Sequence, residues 1–514
     1  MKKKFTSTIA GASIFISLIG VLSRGFGFIR EMIFANNFGT GTEFDLYLVG
    51  AVLPVTINTI ILYVGQNFFI PGFQKVNKTD SDTVQKFYNQ SFIFFVGTGL
   101  IIAIILFLLN DTIINLYMHS ASVESRETAS IIFNIFLLTI PFSAGISMLS
   151  ALLQTVYEFK YPSISILFLN ISVIVMLVLL TDKIGILVIP VGYVIGIMFQ
   201  FSYLIYKSKK YFKPELVKHL KNLSAVRSVF NSALITIILI ESISQLYSIF
   251  DRYFYGTISS GGIASLNYAM IIWVLPISIV SISLATVIFP KISEAIDKNS
   301  KDNVEKIYNE SISINTLLFM PIAFIFFFYG DTLISIFFQR GKFIEESTLM
   351  TFSVLKYYSL SIVFYSVYSV FNKIFYSINL AKILLIITVI GVFVKLILNF
   401  ILIELEQNGL ALSTSISFLF FFAVSYLVLT KKLNINNKFI FLKEFVSHFL
   451  NCLICFIIIT ISFNILELNT IGKIISIIIF ILIYIVNLYL LKHQSISVVN
   501  TLFSRFSPKY VSEV

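Results

Sequence analysis

Two arginines, Arg24 and Arg30, lie in the run Ser23-Arg24-Gly25-Phe26-Gly27-Phe28-Ile29-Arg30-Glu31, and Asp45 follows a short way downstream. A guanidinium presents several directed N–H donors to phosphate oxygens, and apolar surroundings strengthen that attraction. The pair therefore reads as a candidate anion site. The alternative is that both side chains snorkel to a headgroup layer, with Glu31 as a local ion-pair partner. Three roles are open to Asp45: capping a helix, pairing with Arg24 or Arg30, or contacting sugar hydroxyls.

Further along, Glu241 and Gln245 stand four residues apart inside an apolar stretch, as do Lys395 and Asn399. Helical spacing puts each pair on one face. An ionisable group in such a place suits a proton, a cation or a substrate, so coupling to a proton or a monovalent cation is open to this chain. Gln66, Asn67, Gln154, Asn170, Asn372 and Lys373 are further polar interior positions, whose plainest use is bonding between helices. Pro54 and Pro276 each free a backbone carbonyl and predict a bend that serves as a hinge or gate, or as a fixed kink. Arg340 and Lys342 read as an ordinary solvated basic turn.

No catalytic apparatus accompanies these residues. Walker and HExxH motifs are absent, which points away from ATP-driven pumping and from an enzyme, and no cofactor is implied. Cys452 and Cys455 fall three apart in one apolar segment and read as core or lipid-facing residues; no histidine forms a ligand set with them, and a metal is left unassigned.

The elements that must carry these groups follow from composition. Of 514 residues 57% are hydrophobic and 12% charged, and phenylalanine alone contributes 54. A water-soluble domain carries about 25% charged residues, so the bilayer is the natural solvent. The net charge of +11 comes from lysines spread over separate loops, which excludes a nucleic-acid stripe and fits loops facing an anionic cytoplasmic leaflet. The start Met1-Lys2-Lys3-Lys4 before an apolar run resembles a signal peptide in outline. Without a small-residue cleavage motif, and with Arg24 and Arg30 closing the segment, it reads as a retained first span.

Apolar stretches predict an all-α polytopic membrane protein with fourteen transmembrane helices, near 9–29, 45–70, 88–109, 130–153, 163–181, 185–206, 229–250, 262–289, 312–330, 351–378, 383–403, 409–430, 444–463 and 471–491. Lysines cluster in alternate connections, which places both termini in the cytoplasm. The long basic connection 207–228 separates a six-helix lobe, 1–206, from a second, 229–430; residues 431–514 form a two-helix appendix and tail. A repeat supports the pairing: adding 222 carries Arg30 to Arg252, Gly39 to Gly261, Asp45 to Asn267, Leu53 to Leu275 and Pro54 to Pro276. Because six is even, the lobes enter in the same orientation, related by an axis along the membrane normal, and would enclose a cavity.

The signature Leu22-Ser23-Arg24 through Phe28-Ile29-Arg30-Glu31, then Phe38-Gly39, Asp45 and Leu53-Pro54, resembles the lipid II flippase family, within the larger group of multidrug, oligosaccharidyl-lipid and polysaccharide exporters. Leu266-Asn267-Tyr268-Ala269, Leu275-Pro276, Ile288-Phe289-Pro290 and Phe338-Gln339-Arg340-Gly341-Lys342-Phe343 extend the likeness over nearly the whole chain. The resemblance implies translocation of an undecaprenyl-diphosphate-linked saccharide from the inner to the outer leaflet of the bacterial cytoplasmic membrane by alternating access. Arg24 and Arg30 would engage the diphosphate or its sugars, Asp45 would be a cavity acid, and the last two spans would form a groove for the lipid tail. Membrane lipids and cell-envelope synthesis proteins are the partners it implies.

The family's arginine shortly after Leu53-Pro54 is replaced here by the run Val55-Thr56-Ile57-Asn58, and Met270 and Ile271 stand where the second lobe has an aspartate and an arginine. Lipid II is therefore the first substrate expected, with a capsule, O-antigen or other surface-glycan precursor as the rival. A membrane scaffold for surface-polymer synthesis and an exporter of small cationic amphiphiles are the readings outside that class.

Overall fold

The computed structural model describes residues 9–77, 81–211, 224–227, 229, 232–298, 300–463, 469–491 and 493. Most of the basic linker expected at 207–228, the N-terminal lysines and the tail from 494 lie outside the described residues. Every regular element among those described is a helix. Among the described residues ten helices are long and apolar enough to cross a membrane, or eleven if Glu345–Ser359 and Ile362–Ser377, bent by 54° at their junction, make one span.

The chain divides into two compact units, the first comprising Met1–Ala264 with Arg340–Ile344, the second Ser265–Gln339 with Glu345–Val514. The first holds α1 (Ile9–Phe38), α2 (Thr42–Val76), α3 (Ser81–Leu108), α4 (Asn110–Tyr117), α5 (Val123–Leu137), α6 (Thr139–Thr155), α7 (Lys160–Ile184), α8 (Val188–Ser208), the single turn α9 (Ser224–Arg227), α10 (Ser232–Ser244) and α11 (Leu246–Tyr253). Its core is aromatic: Phe68 and Phe69 of α2 stack on Phe87 and Tyr88 of α3 at centroid separations of 5.2–6.3 Å. At Gly65 a Cβ would stand 2.0 Å from Ser147 Oγ, so the missing side chain lets α6 press against α2. The Ser147 hydroxyl lies against the Ile61 and Leu62 carbonyls there, at 3.2 and 3.1 Å.

Helix α12 (Gly262–Pro276) spans the division between the units, and a π-helical turn, Ile277–Ser281, leads from it into α13 (Ile282–Asp297). The second unit continues with α14 (Lys301–Phe338), α15 (Glu345–Ser359), α16 (Ile362–Ser377), α17 (Ala381–Leu402), α18 (Glu406–Lys432), α19 (Ile440–Phe463) and α20 (Thr470–Leu490). Helix α17 shows why the bilayer is its solvent: Ile386, Ile390, Phe393, Ile397 and Phe400 recur every three or four residues and are all exposed, while Lys395 and Asn399 on the other face are fully buried. Water would reverse that pattern.

Two apolar runs, Lys160–Ser208 and Ala381–Lys432, are 49 and 52 residues long. As straight helices they would exceed roughly 70 Å, more than twice a hydrocarbon core of about 30 Å. Each is instead a packed pair, α7 with α8 and α17 with α18, reversing through a short 3₁₀ turn with a positive φ at Gly185 (54°) or Glu406 (52°). The terminal helices dock on α14, where Phe328 stacks on Phe456 at 3.8 Å, Phe324 meets Phe480 at 6.3 Å and Lys473 Nζ bonds Asp331 Oδ2 at 2.6 Å.

The proline pair behaves asymmetrically. Pro54 sits inside the continuous α2, whereas Pro276 ends α12 and is followed by the wider π turn. In the glycine pair 222 residues apart the local geometry repeats, with φ +58° at Gly39 and +83° at Gly261, each just before a helix.

Candidate functional site

Six residues separate Arg24 from Arg30 on α1, which turns their side chains about 120° apart around the helix axis. They therefore meet different surroundings. Arg30 is held: Nη1 donates to Asn170 Oδ1 of α7 at 3.0 Å, Nη2 pairs with Glu31 Oε1 at 2.5 Å, and the guanidinium lies 5.3 Å from the Tyr193 ring and 5.5 Å from Phe34. Asn170 in turn donates to the Ser23 carbonyl at 3.3 Å, so its amide clips α7 to two levels of α1. One donor of Arg30, Nε, is buried without a hydrogen-bond partner. Arg24 is exposed, and no hydrogen bond or ion pair holds it among the described residues.

Asp45 is buried and both of its oxygens are engaged. Oδ2 accepts from the Gly261 N–H at 2.6 Å and Oδ1 from the Ala264 N–H at 2.7 Å. The Ala264 N–H is a first-turn donor of α12 and the Gly261 N–H lies just ahead of it, so the acid caps a helix more than two hundred residues away and complements its dipole. Nearby, Thr42 and Ser260 hydroxyls bond at 2.7 Å, and the exposed turn of Arg340 and Lys342 is tied down by the Lys342 N–H on the Asn36 carbonyl at 2.8 Å.

Glu241 and Gln245 do share a face, as their spacing predicts. Gln245 Nε2 donates to Glu241 Oε1 at 2.7 Å, and both side chains are half-buried on the stretch that runs from α10 to α11. Lys395 and Asn399 also share a face, turned into the α17–α18 seam: Lys395 Nζ donates to Thr414 Oγ1 at 2.6 Å, and Ser413 Oγ bonds Asn399 Oδ1. In the sequence Asn170 is one of several interior amides, with no partner legible beside it. The i, i+140 contact with Arg30 has no local signature.

Helices that turn apolar faces outward and partner their buried charges across helices, with Arg24 exposed on α1, are the features of a polytopic membrane transporter. The family model described as "Lipid II flippase MurJ" matches residues 34–502. The "Probable lipid II flippase MurJ" of Buchnera aphidicola subsp. Schizaphis graminum is 28% identical over 447 residues, covering 84% of this chain and 85% of that protein. The "Lipid II flippase MurJ" of Thermosipho africanus is 26% identical over 423 residues, covering 80% and 83%. Among solved structures, a lipid II flippase MurJ in an inward closed conformation superposes with TM-score 0.78 at 23% identity, covering 92% of this chain and 97% of its own. An inward-facing MATE family multidrug resistance transporter of the MOP superfamily shares the fold at TM-score 0.68 and 14% identity, covering 80% and 94%. The chain belongs to the lipid II flippase MurJ family, and is a transporter, not an enzyme.

Proposed function

We propose that this chain carries lipid II from the inner to the outer leaflet of a bacterial cytoplasmic membrane, with Arg24 as the first cation to meet the diphosphate. The observation that carries the reading is the family match, which runs almost the length of the chain. Support for the role of Arg24 is its exposure without a partner, beside an Arg30 that is already committed to Asn170 and Glu31. A guanidinium with its donors free is the group able to exchange water for phosphate oxygens.

Fourteen spans with both termini in the cytoplasm fit this carrier. Counting the two long runs as helical pairs, the bent pair as one span and α1 as another reaches that number. In this layout 1–206 and 229–430 are the six-helix lobes and 431–514 the appendix, whose docking along α14 suits a groove for the polyprenyl tail. Glu241 with Gln245 supplies a titratable pair for coupling to a proton or monovalent cation, and Pro54 and Pro276 supply bends for gating. Lys395 serves the α17–α18 seam, and contact with cell-envelope synthesis proteins belongs to the same reading.

Val55-Thr56-Ile57-Asn58, Met270 and Ile271 favour one rival, a different polyprenyl-diphosphate oligosaccharide, because they remove cationic donors for the peptidoglycan headgroup. Reconstitution into vesicles separates the two. Leaflet accessibility of lipid II and of a second polyprenyl-linked oligosaccharide is followed under imposed potential and ion gradients. Movement of lipid II by the native chain, slowed roughly tenfold in Arg24→Ala, is the expected result; selective movement of the other lipid overturns the substrate.

A further inference from the structure

Glu444 and His448, one turn apart near the start of α19, meet His493 just past the end of α20, and the ligand atoms of the three lie within 4.8 Å of one another. Glu444 and His448 are buried, at 2% and 0% exposure, and His493 is half-buried, which leaves the cluster open on one side. A cation close to a carboxylate kept that dry offsets the cost of burying its charge.

The hydrogen bonds fix which atom of His448 faces the carboxylate. The Tyr484 hydroxyl donates its one proton to the Leu317 carbonyl at 2.9 Å, because a carbonyl can only accept. The same oxygen lies 2.8 Å from His448 Nδ1, so Nδ1–H is the donor there. In the neutral ring Nε2 then carries a lone pair, and it points at Glu444 Oε2 from 3.3 Å. Two lone pairs at that distance repel unless a cation sits between them.

A proton on Nε2 would answer that repulsion, and so would a metal ion, for which a second imidazole already stands within reach. The rings of His448 and His493 lie 4.7 Å apart, and Ser447 Oγ holds His493 Nε2 at 2.9 Å, orienting that ring toward the pair. Two imidazoles and one carboxylate are the protein ligands of open tetrahedral zinc sites. Bonds of about 2.0–2.1 Å at a tetrahedral angle separate neighbouring ligand atoms by roughly 3.3–3.4 Å, the spacing already present between Nε2 and Oε2. Tyr484 is then the outer partner that fixes the tautomer of a ligating histidine.

We propose that Glu444, His448 and His493 bind a divalent transition-metal ion of the zinc type, which pins the end of α20 to the start of α19. The ion is held by three protein groups, with water as the fourth ligand on the open side. The site is independent of the transport reading.

The test uses the full-length chain in detergent, stripped with chelator and titrated with Co²⁺, whose visible absorption reports tetrahedral geometry, followed by Zn²⁺ competition and elemental counting. A single tetrahedral Co²⁺ displaced by Zn²⁺ is expected. Affinity should fall at least about tenfold in His493→Ala and in Glu444→Gln, and roughly tenfold in Tyr484→Phe, as loss of a second-shell partner does elsewhere. His493 lies beyond the helix end, so His493→Ala tests the site without disturbing α19. Absence of the tetrahedral spectrum in the native chain, or equal binding by the native chain and His493→Ala, overturns the proposal in favour of a protonated His448 paired with Glu444.

Discussion

The Asp45 carboxylate takes the backbone N–H of Gly261 at 2.6 Å, so one acid on α2 closes the turn that starts α12. A sequence reader sees an acid at the head of a membrane helix and looks for a nearby cation. The structure gives it two backbone amides, with the Arg252 charge close enough to act on it as well, and the amides meet the demand of a buried helix start.

Exchanging Asp45 for Asn turns one acceptor into an NH₂ group facing a backbone N–H. Charge-assisted bonds of this kind contribute about 1.5–3 kcal/mol, and Asp45→Asn should destabilise the chain by that order in thermal unfolding in detergent. Gly261→Ala should act in the same direction, since a Cβ would stand 2.2 Å from the Thr40 carbonyl oxygen. Unchanged melting of both variants would remove the capping role.

Arg24 and Arg30 should separate cleanly. Asn170→Ala deprives Arg30 Nη1 of its acceptor and should cost about 1–3 kcal/mol of stability. Arg24→Ala, at an exposed position, should stay within about 0.5 kcal/mol while lowering lipid II flipping roughly tenfold, the loss of a single charge-assisted contact. Paired measurements of melting and vesicle flipping on each variant decide it; equal effects on both readouts would dissolve the distinction.

Glu241→Gln keeps the hydrogen-bonding shape beside Gln245 and removes the titratable group. Flipping by this variant should lose its response to an imposed proton or sodium gradient while the basal rate stays within about threefold, the scatter expected of a lost neutral-range contact. A gradient response equal to the native one would move coupling elsewhere.

Lys395→Met should leave flipping within about twofold, because replacing a buried charge by an apolar side chain of similar volume is often neutral. Thr414→Val removes one Nζ acceptor, at 2.6 Å, and leaves the charge in place, so it should destabilise more than Lys395→Met does. A loss of flipping well beyond twofold in Lys395→Met would place Lys395 in the transport path.

How far the sequence could be read depends on where each partner lies. Glu241 with Gln245 and Lys395 with Asn399 were legible because helical spacing alone brings four-residue neighbours together. The bend at 360–361, within the span expected at 351–378, carries no proline or glycine to announce it. The Arg30–Asn170 clip and the Asp45 cap join residues 140 and more than two hundred apart, which no local pattern records. Glu444 and His448 are again one turn apart, but His493 joins them only because α19 and α20 fold back on each other.

Helix α14 is 38 residues long, roughly 57 Å end to end, and so outreaches a hydrocarbon layer of about 30 Å. Near its start Glu305 grips the loop after α18, accepting the Asn436 and Asn437 N–H groups at 3.0 Å. That end behaves as a mast with rigging attached. Glu305 thus fastens the loop between α18 and α19 to the far end of α14, and a displacement of that end would carry residues 436–437 with it.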